Sequence, residues 1–125
     1  MSYEAWGDND EPSAFDAAME AGWLDPTDLS KALIDVMNER DRQWNEVGFT
    51  SDSDDKYIGG ELALAAAEYT LLSTGRYGSM AGGPTHVWPW SRAWWKPKTP
   101  RRNLVKAAAL ILAEIERLDR AEARS

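Results

Sequence analysis

The sequence TPRRNLVKAAALILAEIERL, at residues 99–118, decides the fold class of this chain. Thr99 belongs to the residue types that cap helix N-termini, and Pro100 suits the first helical position, so a helix is predicted to start here. Apolar side chains then recur at helical spacing and form one face: Leu104, Ala107, Ala108, Ile111, Ile115 and Leu118. The pattern predicts a long amphipathic helix, the last of the chain.

A first long helix is predicted upstream. Asp25 can cap it, Pro26 suits its first position and Asp28 adds negative charge to its first turn, while Gly48 is a plausible stop. Its periodic face reads Leu29, Leu33, Val36 or Met37, Arg40 and Trp44. A loop from Thr50 to Lys56 is expected to follow it.

A second helix is predicted from Tyr57 or Gly59 to Ser73, with Gly75 as its end. Its apolar stripe consists of Leu62, Ala65, Ala66, Tyr69 and Leu72. The alanines of this helix would let another helix approach closely. The three helices together predict an all-α fold, a small helical domain with two or three long helices and a short N-terminal helix.

Charge divides the chain into blocks. Residues 1–30 carry eight acidic side chains and no basic one. We interpret 1–125 as a single domain, in which 1–24 form an acidic arm with a short helix and 25–125 form the helical core. The arm is either a solvated segment, a segment that folds onto basic residues, or a polyanion mimic that inhibits a partner protein.

Composition excludes several classes of function. The chain has 125 residues, a formal net charge of −7, a pI near 4.7 and no cysteine. Disulfides and thiolate metal sites are therefore excluded, and a cytoplasmic location is the natural expectation. With a mean hydropathy of −0.54, no apolar run approaches a membrane span. The acidic balance argues against bulk DNA binding.

A basic and aromatic segment stands out against this acidic background. Residues 75–99 have no clear period, and they are predicted to form an ordered, irregular Trp/Pro-rich excursion before the last helix. Between Tyr69 and Ala113 there is no acidic residue, although this stretch holds half of the Lys and Arg. Arg101 and Arg102 fall in the first helical turn, where the helix dipole disfavours cations.

These residues predict a site for a nucleotide-like anion. Backbone N–H groups at the helix start and arginine side chains both suit a phosphate or carboxylate, and indole rings stack on bases. The candidate ligand-binding residues are Arg101, Arg102, Lys96, Lys98, Trp90, Trp94, Arg92 and His86. The alternative is that the tryptophans are core and that acids of the first two helices pair with the basic residues.

An enzymatic alternative rests on carboxylates. Glu61 and Glu68 share one face of the second helix, and Glu39 and Asp54 or Asp55 could join them to hold Mg²⁺, as in all-α nucleotide pyrophosphohydrolases. Those enzymes present an E-x-x-E pair that this chain lacks. With no nucleophile motif either, the sequence favours a protein that is not an enzyme and needs no cofactor.

A series of short motifs extends from residue 39 onward: ERxRQ at 39–43, GFT at 48–50 followed by Asp54 and Asp55, GELAxAA at 60–66, WPW at 88–90, WWKP at 94–97, RRNLVKA at 101–107 and AEIERLDR at 113–120. This series resembles a module of small phage and prophage early-region proteins, including the C-terminal part of Ead-like proteins. Phe49 and Tyr57 stand where similar sequences often carry Trp and His. The arm of residues 1–30 lies outside the resemblance.

The resemblance implies a phage accessory role in the cytoplasm of an infected or lysogenic bacterium. Together with the predicted anion site, it suggests a counter-defence protein that binds a host nucleotide signal and withholds it. The apolar surface of the second and last helices exceeds what one short bundle buries, so a homo-oligomer is expected.

Overall fold

The computed structural model describes residues 28–47, 50–76, 83–84 and 87–125. The chain divides into two compact units, 1–30 and 31–125. The predicted arm helix, Asp25 and Pro26 lie outside the described residues. The single domain over 1–125 stays a prediction, and the account below concerns the second unit.

The second unit is built from helices. They are α1 (Lys31–Arg42), continued by a π-helical turn (Gln43–Val47), α2 (Ser51–Asp54), α3 (Glu61–Ser73), a 3₁₀ turn (Arg92–Trp94) and α4 (Pro100–Arg124). The described ranges contain no β-strand, so the predicted all-α class is confirmed. No helix in these ranges is both long and apolar enough to cross a membrane.

Helix α4 starts where the sequence predicts. Thr99 adopts an extended conformation, and its Oγ1 accepts a hydrogen bond from the backbone N–H of Arg102 at 3.2 Å. Pro100 follows in the first turn, where its missing N–H costs no intrahelical hydrogen bond. The helix then runs for 25 residues and packs against both α3 and α1.

The core forms where α3 meets α4. Its α3 side consists of Leu62, Ala65, Ala66 and Tyr69, and its α4 side of Ala107, Leu110 and Ala113. Small alanine side chains on both helices let the backbones approach closely, as predicted for α3. Three tryptophans of the excursion, Trp88, Trp90 and Trp95, pack against this cluster together with Tyr57.

The face of α4 that the sequence singles out is not the buried one. Ala107 is buried, but Leu104, Ile111 and Leu118 have exposed fractions of 47%, 46% and 51%. The opposite face enters the interior and carries Val105, Ala109 and several polar residues. The small and polar side of α4 is buried because it packs against the alanines of α3 and hydrogen-bonds with groups of α1.

Helix α1 also differs from its prediction. It begins at Lys31, after the expected start, and Leu33, Met37 and Trp44 of its apolar face are exposed. Glu39 and Gln43 are buried instead. Helix α4 supplies hydrogen-bonding partners for both residues: the Arg102 side chain donates to Glu39, and the backbone carbonyl of Lys106 accepts from Gln43 Nε2. Gly48 lies outside the described residues.

The predicted loop from Thr50 to Lys56 contains the short helix α2, so that prediction is wrong. Thr50 caps it, with Oγ1 accepting from Ser53 N at 3.4 Å, and acidic residues in its first turn suit the helix dipole. Helix α3 begins after Gly60, whose φ of 85° requires glycine, and Gly75 follows its end with a φ of 71°.

Candidate functional site

A cavity of about 430 Å³ opens between α1, α3, α4 and the excursion. Its lining residues are Glu39, Arg42, Gln43, Tyr69, Trp88, Trp90, Trp94, Lys96, Lys98, Arg102, Lys106 and Leu110. Five of these are Lys or Arg and four are aromatic, whereas one is acidic. The cavity therefore concentrates positive charge beside aromatic rings in a chain that is acidic as a whole.

Glu39 is the acid at the centre of this charge. Its carboxylate accepts hydrogen bonds from Arg42 Nε and Nη2 at 2.7 and 2.8 Å, from Gln43 Nε2 at 3.0 Å, and from Arg102 Nη2. Burial raises the pKa of Glu39, but the hydrogen bonds from Arg42 and Gln43 and the charge of Arg102 outweigh it, so the pKa is lowered. Glu39 therefore holds two guanidinium groups in fixed positions.

Lys106 brings a buried ammonium group to the same cavity. Its Nζ donates to the backbone carbonyl of Lys96 and lies 5.6 Å from the centroid of the Tyr69 ring. Burial lowers the pKa of Lys106 to about 8, and the charges of Arg102, Arg42 and Lys98 act in the same direction against Glu39. Crowding of like charge makes this group receptive to an added anion.

Two buried side chains fix the basic part of the excursion. Asn103 Oδ1 accepts from Lys98 N at 2.7 Å, and Asn103 Nδ2 donates to Lys98 O at 3.3 Å. Tyr69 Oη accepts from Lys96 N at 3.0 Å. Because the backbone is held on both sides of Pro97, the side chains of Lys96 and Lys98 start from fixed points on the cavity rim.

The aromatic wall is a connected cluster of rings. Tyr69 stacks on Trp95 with centroids 4.8 Å apart, and Trp88 meets Trp95 and Trp90 edge to face at 4.9 and 5.5 Å. Such contacts stabilise the irregular segment where regular backbone hydrogen bonds are few. Trp94 also lines the cavity and differs from the other rings in being 55% exposed.

Five of the predicted ligand-binding residues line the cavity: Trp90, Trp94, Lys96, Lys98 and Arg102. Arg101 does not, because it pairs with Asp35 at 2.8 Å. Arg92 lies outside the lining, with its guanidinium against Gly83. His86 lies outside the described residues.

The two arginines at the start of α4 obtain their anions from the protein itself. Arg101 pairs with Asp35 and Arg102 with Glu39, both on α1. Arg101 and Arg102 therefore fit the predicted alternative, in which basic residues pair with acids of the first helix. We accordingly place the candidate anion site in the neighbouring cavity rather than at the helix start. Trp90 packs on the core cluster, as the same alternative expects.

Several cavity residues were not among the predicted ligand-binding residues: Glu39, Arg42, Gln43, Tyr69, Trp88, Lys106 and Leu110. One signal was present, because Glu39, Arg42 and Gln43 follow at helical i, i+3 and i+4 spacing and so share one face of α1. Tyr69 sits in an alanine stripe and Lys106 on a helix of mixed polarity, where neither residue stands out.

Of the carboxylates of the magnesium alternative, Glu39 lines this cavity, whereas Glu61, Glu68, Asp54 and Asp55 do not. Asp55 pairs with Arg120 at 3.0 Å and with Arg124, and Asp54 pairs with Arg40 at 3.4 Å. Glu61 lies beside Gly59, and Glu68 is buried. Within the described ranges, no three acidic or histidine side chains are arranged to hold a metal ion, so the magnesium site stays a prediction without geometric support.

No family model matches the chain, and neither a curated protein nor a solved structure matches it. The chemistry of the cavity therefore carries the functional argument.

Proposed function

We propose that the chain binds a nucleotide-like anionic ligand in the cavity and releases it unchanged. The observation that carries this proposal is the lining, which contains five cationic side chains, four aromatic rings and one carboxylate. The carboxylate of Glu39 already engages Arg42 and Arg102, so positive charge is left for a ligand.

Charge and hydrogen bonding support an anion. Lys96 and Lys98 project from an anchored backbone at the rim, whereas Lys106 is buried beside the Tyr69 ring. Guanidinium forks and ammonium groups are the side chains that bind phosphate in proteins. A ligand phosphate in this position would relieve the crowding of like charges around Lys106.

Ring stacking and size support a base attached to that anion. Trp94 presents an indole that is 55% exposed and borders the cavity. Stacking of a base on an aromatic side chain contributes roughly 1–3 kcal/mol. The volume of about 430 Å³ lies within the range of small-molecule sites, roughly 300–1,000 Å³.

The resemblance to phage early-region modules suggests a biological role for such binding. A phage protein that binds a host nucleotide signal without turning it over would lower the free concentration of that signal. We propose this withholding of a signal as the counter-defence role of the chain in its bacterial host.

Isothermal titration calorimetry against a panel of linear and cyclic nucleotides tests the proposal. At least one member should bind, with an affinity that falls as salt rises because the contacts are ionic. Lys98→Ala and Trp94→Ala should each weaken it roughly tenfold. Lys56→Ala, which removes an exposed cation outside the cavity lining, serves as the matched control and should leave the affinity unchanged.

Two results would contradict the proposal. One is the absence of heat and of any thermal shift with every nucleotide in the panel. The other is catalytic turnover of a nucleoside triphosphate that Glu61→Gln abolishes, which would support the magnesium-dependent enzyme. If the acidic arm instead inhibits a host protein, the Lys98→Ala variant should still inhibit that protein.

A further inference from the structure

Helix α4 carries a second apolar face that the second unit leaves uncovered. Leu104, Ile111, Ile115 and Leu118 are 46–51% exposed, and Ala108 between them is partly exposed. Their separations are four, three, four and three residues, the spacing of a coiled-coil seam. A surface helix normally opposes its buried face with polar residues, so this arrangement indicates a second packing partner.

We propose that this stripe is the interface between two copies of the chain, in which two α4 helices pack antiparallel across a twofold axis near Ile111. A seam with alternating four- and three-residue steps packs best against a helix with the same steps, because side chains of one enter the holes of the other. Among the described helices, α4 supplies that partner pattern in its own second copy.

The antiparallel direction follows from charge. Arg101 and Asp119 are eighteen residues apart, about five helical turns, so both border the stripe on the same side. A twofold axis perpendicular to the helices brings the same flank of each copy together with the ends reversed. Arg101, which pairs through Nη1 with Asp35 of its own chain and is 55% exposed, then lies near Asp119 of the other copy, twice in the dimer. Such pairs set orientation more than affinity.

The interface leaves the ligand cavity open. Cavity residues of α4, namely Arg102, Lys106 and Leu110, lie on the inward side of the helix, opposite the stripe. Self-association through α4 is therefore independent of the proposed ligand, and each can fail while the other holds.

Sedimentation equilibrium of the full chain from roughly 1 to 100 µM is the first test, since a dimer must respond to concentration by mass action. Ile111→Glu places two carboxylates at the axis and should weaken association by about 100-fold. Leu71→Glu on α3, at a residue 40% exposed and outside the stripe, is the matched control and should leave association intact. Circular dichroism checks that both variants fold.

Cysteine cross-linking tests the direction, because the chain has no cysteine of its own. Ile111→Cys should form a disulfide-linked dimer with itself. Leu104→Cys alone and Leu118→Cys alone should not, while their mixture should cross-link, since residue 104 then lies opposite residue 118.

Three outcomes would overturn the inference. The full chain could be monomeric across the whole range, as it would be if residues 1–30 or another protein covered the stripe. Ile111→Glu could dimerise like the parent. Leu104→Cys could cross-link to itself as fast as the mixture does, which would indicate parallel helices or random collision.

Discussion

Glu39 and Asp54 are two buried carboxylates of one helical unit, and their surroundings shift their pKa values in opposite directions. Glu39 receives three hydrogen bonds of 2.7–3.0 Å from Arg42 and Gln43, and a further one from Arg102. Asp54 receives one of 3.4 Å from Arg40, and no described residue hydrogen-bonds to its Oδ1. The pKa of Glu39 is lowered, whereas burial raises that of Asp54 to about 6.

The difference shows what decides the charge of a buried acid. Burial disfavours the ionised form at both sites, so the number and geometry of donors determine the outcome. Around Glu39 the donors come from α1 and α4 and the charge is retained beside the cavity. The arginines near Asp54 also pair with other acids, since Arg40 bonds Glu116 at 3.0 Å and Arg120 bonds Asp55.

The largest effect is expected from Glu39→Gln. Without the carboxylate, Arg42, Arg102 and Lys106 repel one another in a partly buried site. Removing one partner of a buried ion pair costs roughly 3–5 kcal/mol, and because the guanidinium groups are about one-third exposed we expect about 2–3 kcal/mol here. Urea unfolding at pH 7 measures the loss. Glu122→Gln is the exposed control, and an equal effect of both variants would refute the assignment.

Asp54→Asn should instead raise the free energy of unfolding at neutral pH. The folded pKa of Asp54 is about 6 against an ordinary value of 3.8, so its stabilising contribution is full below pH 3.8 and is lost as pH rises through about 6. The variant should match the parent near pH 4 and exceed its unfolding free energy by about 1–2 kcal/mol at pH 7.

Thermal or urea unfolding across roughly pH 3–7 separates the two acids. The lowered pKa of Glu39 means that its contribution is present above pH 4.5 and is lost as pH falls, so the two difference curves should slope in opposite directions. Parallel slopes would show that the two carboxylates share one environment.

The smallest effect on stability is expected from Glu116→Gln. Its pair with Arg40 is half exposed on the acid side, and such pairs contribute about 0.5 kcal/mol. The change should nevertheless lower the pKa of Asp54, because the charge of Glu116 raises it and Arg40 becomes available. Carboxyl-carbon NMR titration measures that pKa, and Glu122→Gln should leave it where it is.

The local parts of the fold could be predicted from sequence. Thr99 and Pro100 mark the start of α4, and the alanine stripe of α3 identifies its buried face, because capping and close helix packing depend on nearby residues. The inward faces of α1 and α4 could not be predicted. Both helices are apolar on the outside, and the hydrogen bond from Arg102 to Glu39 joins residues 63 positions apart.

Part of the candidate site could be predicted from the sequence. A block of basic and aromatic residues without acids pointed to Lys96, Lys98, Trp90 and Trp94. The sequence pattern did not reveal that Glu39 brings Arg42 and Arg102 together, since that depends on how α1 crosses α4. Arg101 illustrates the same limit, because its partner Asp35 also belongs to α1.

Because α4 is one uninterrupted helix, the directions in which its side chains point are fixed relative to one another along its whole length. At about 1.5 Å per residue its 25 residues span roughly 37 Å, with cavity residues near its start and Arg120 near its end. Inserting a single residue after Leu110 would rotate everything beyond it by about 100°. Arg120 would leave Asp55, and the outer stripe would split into two misaligned halves.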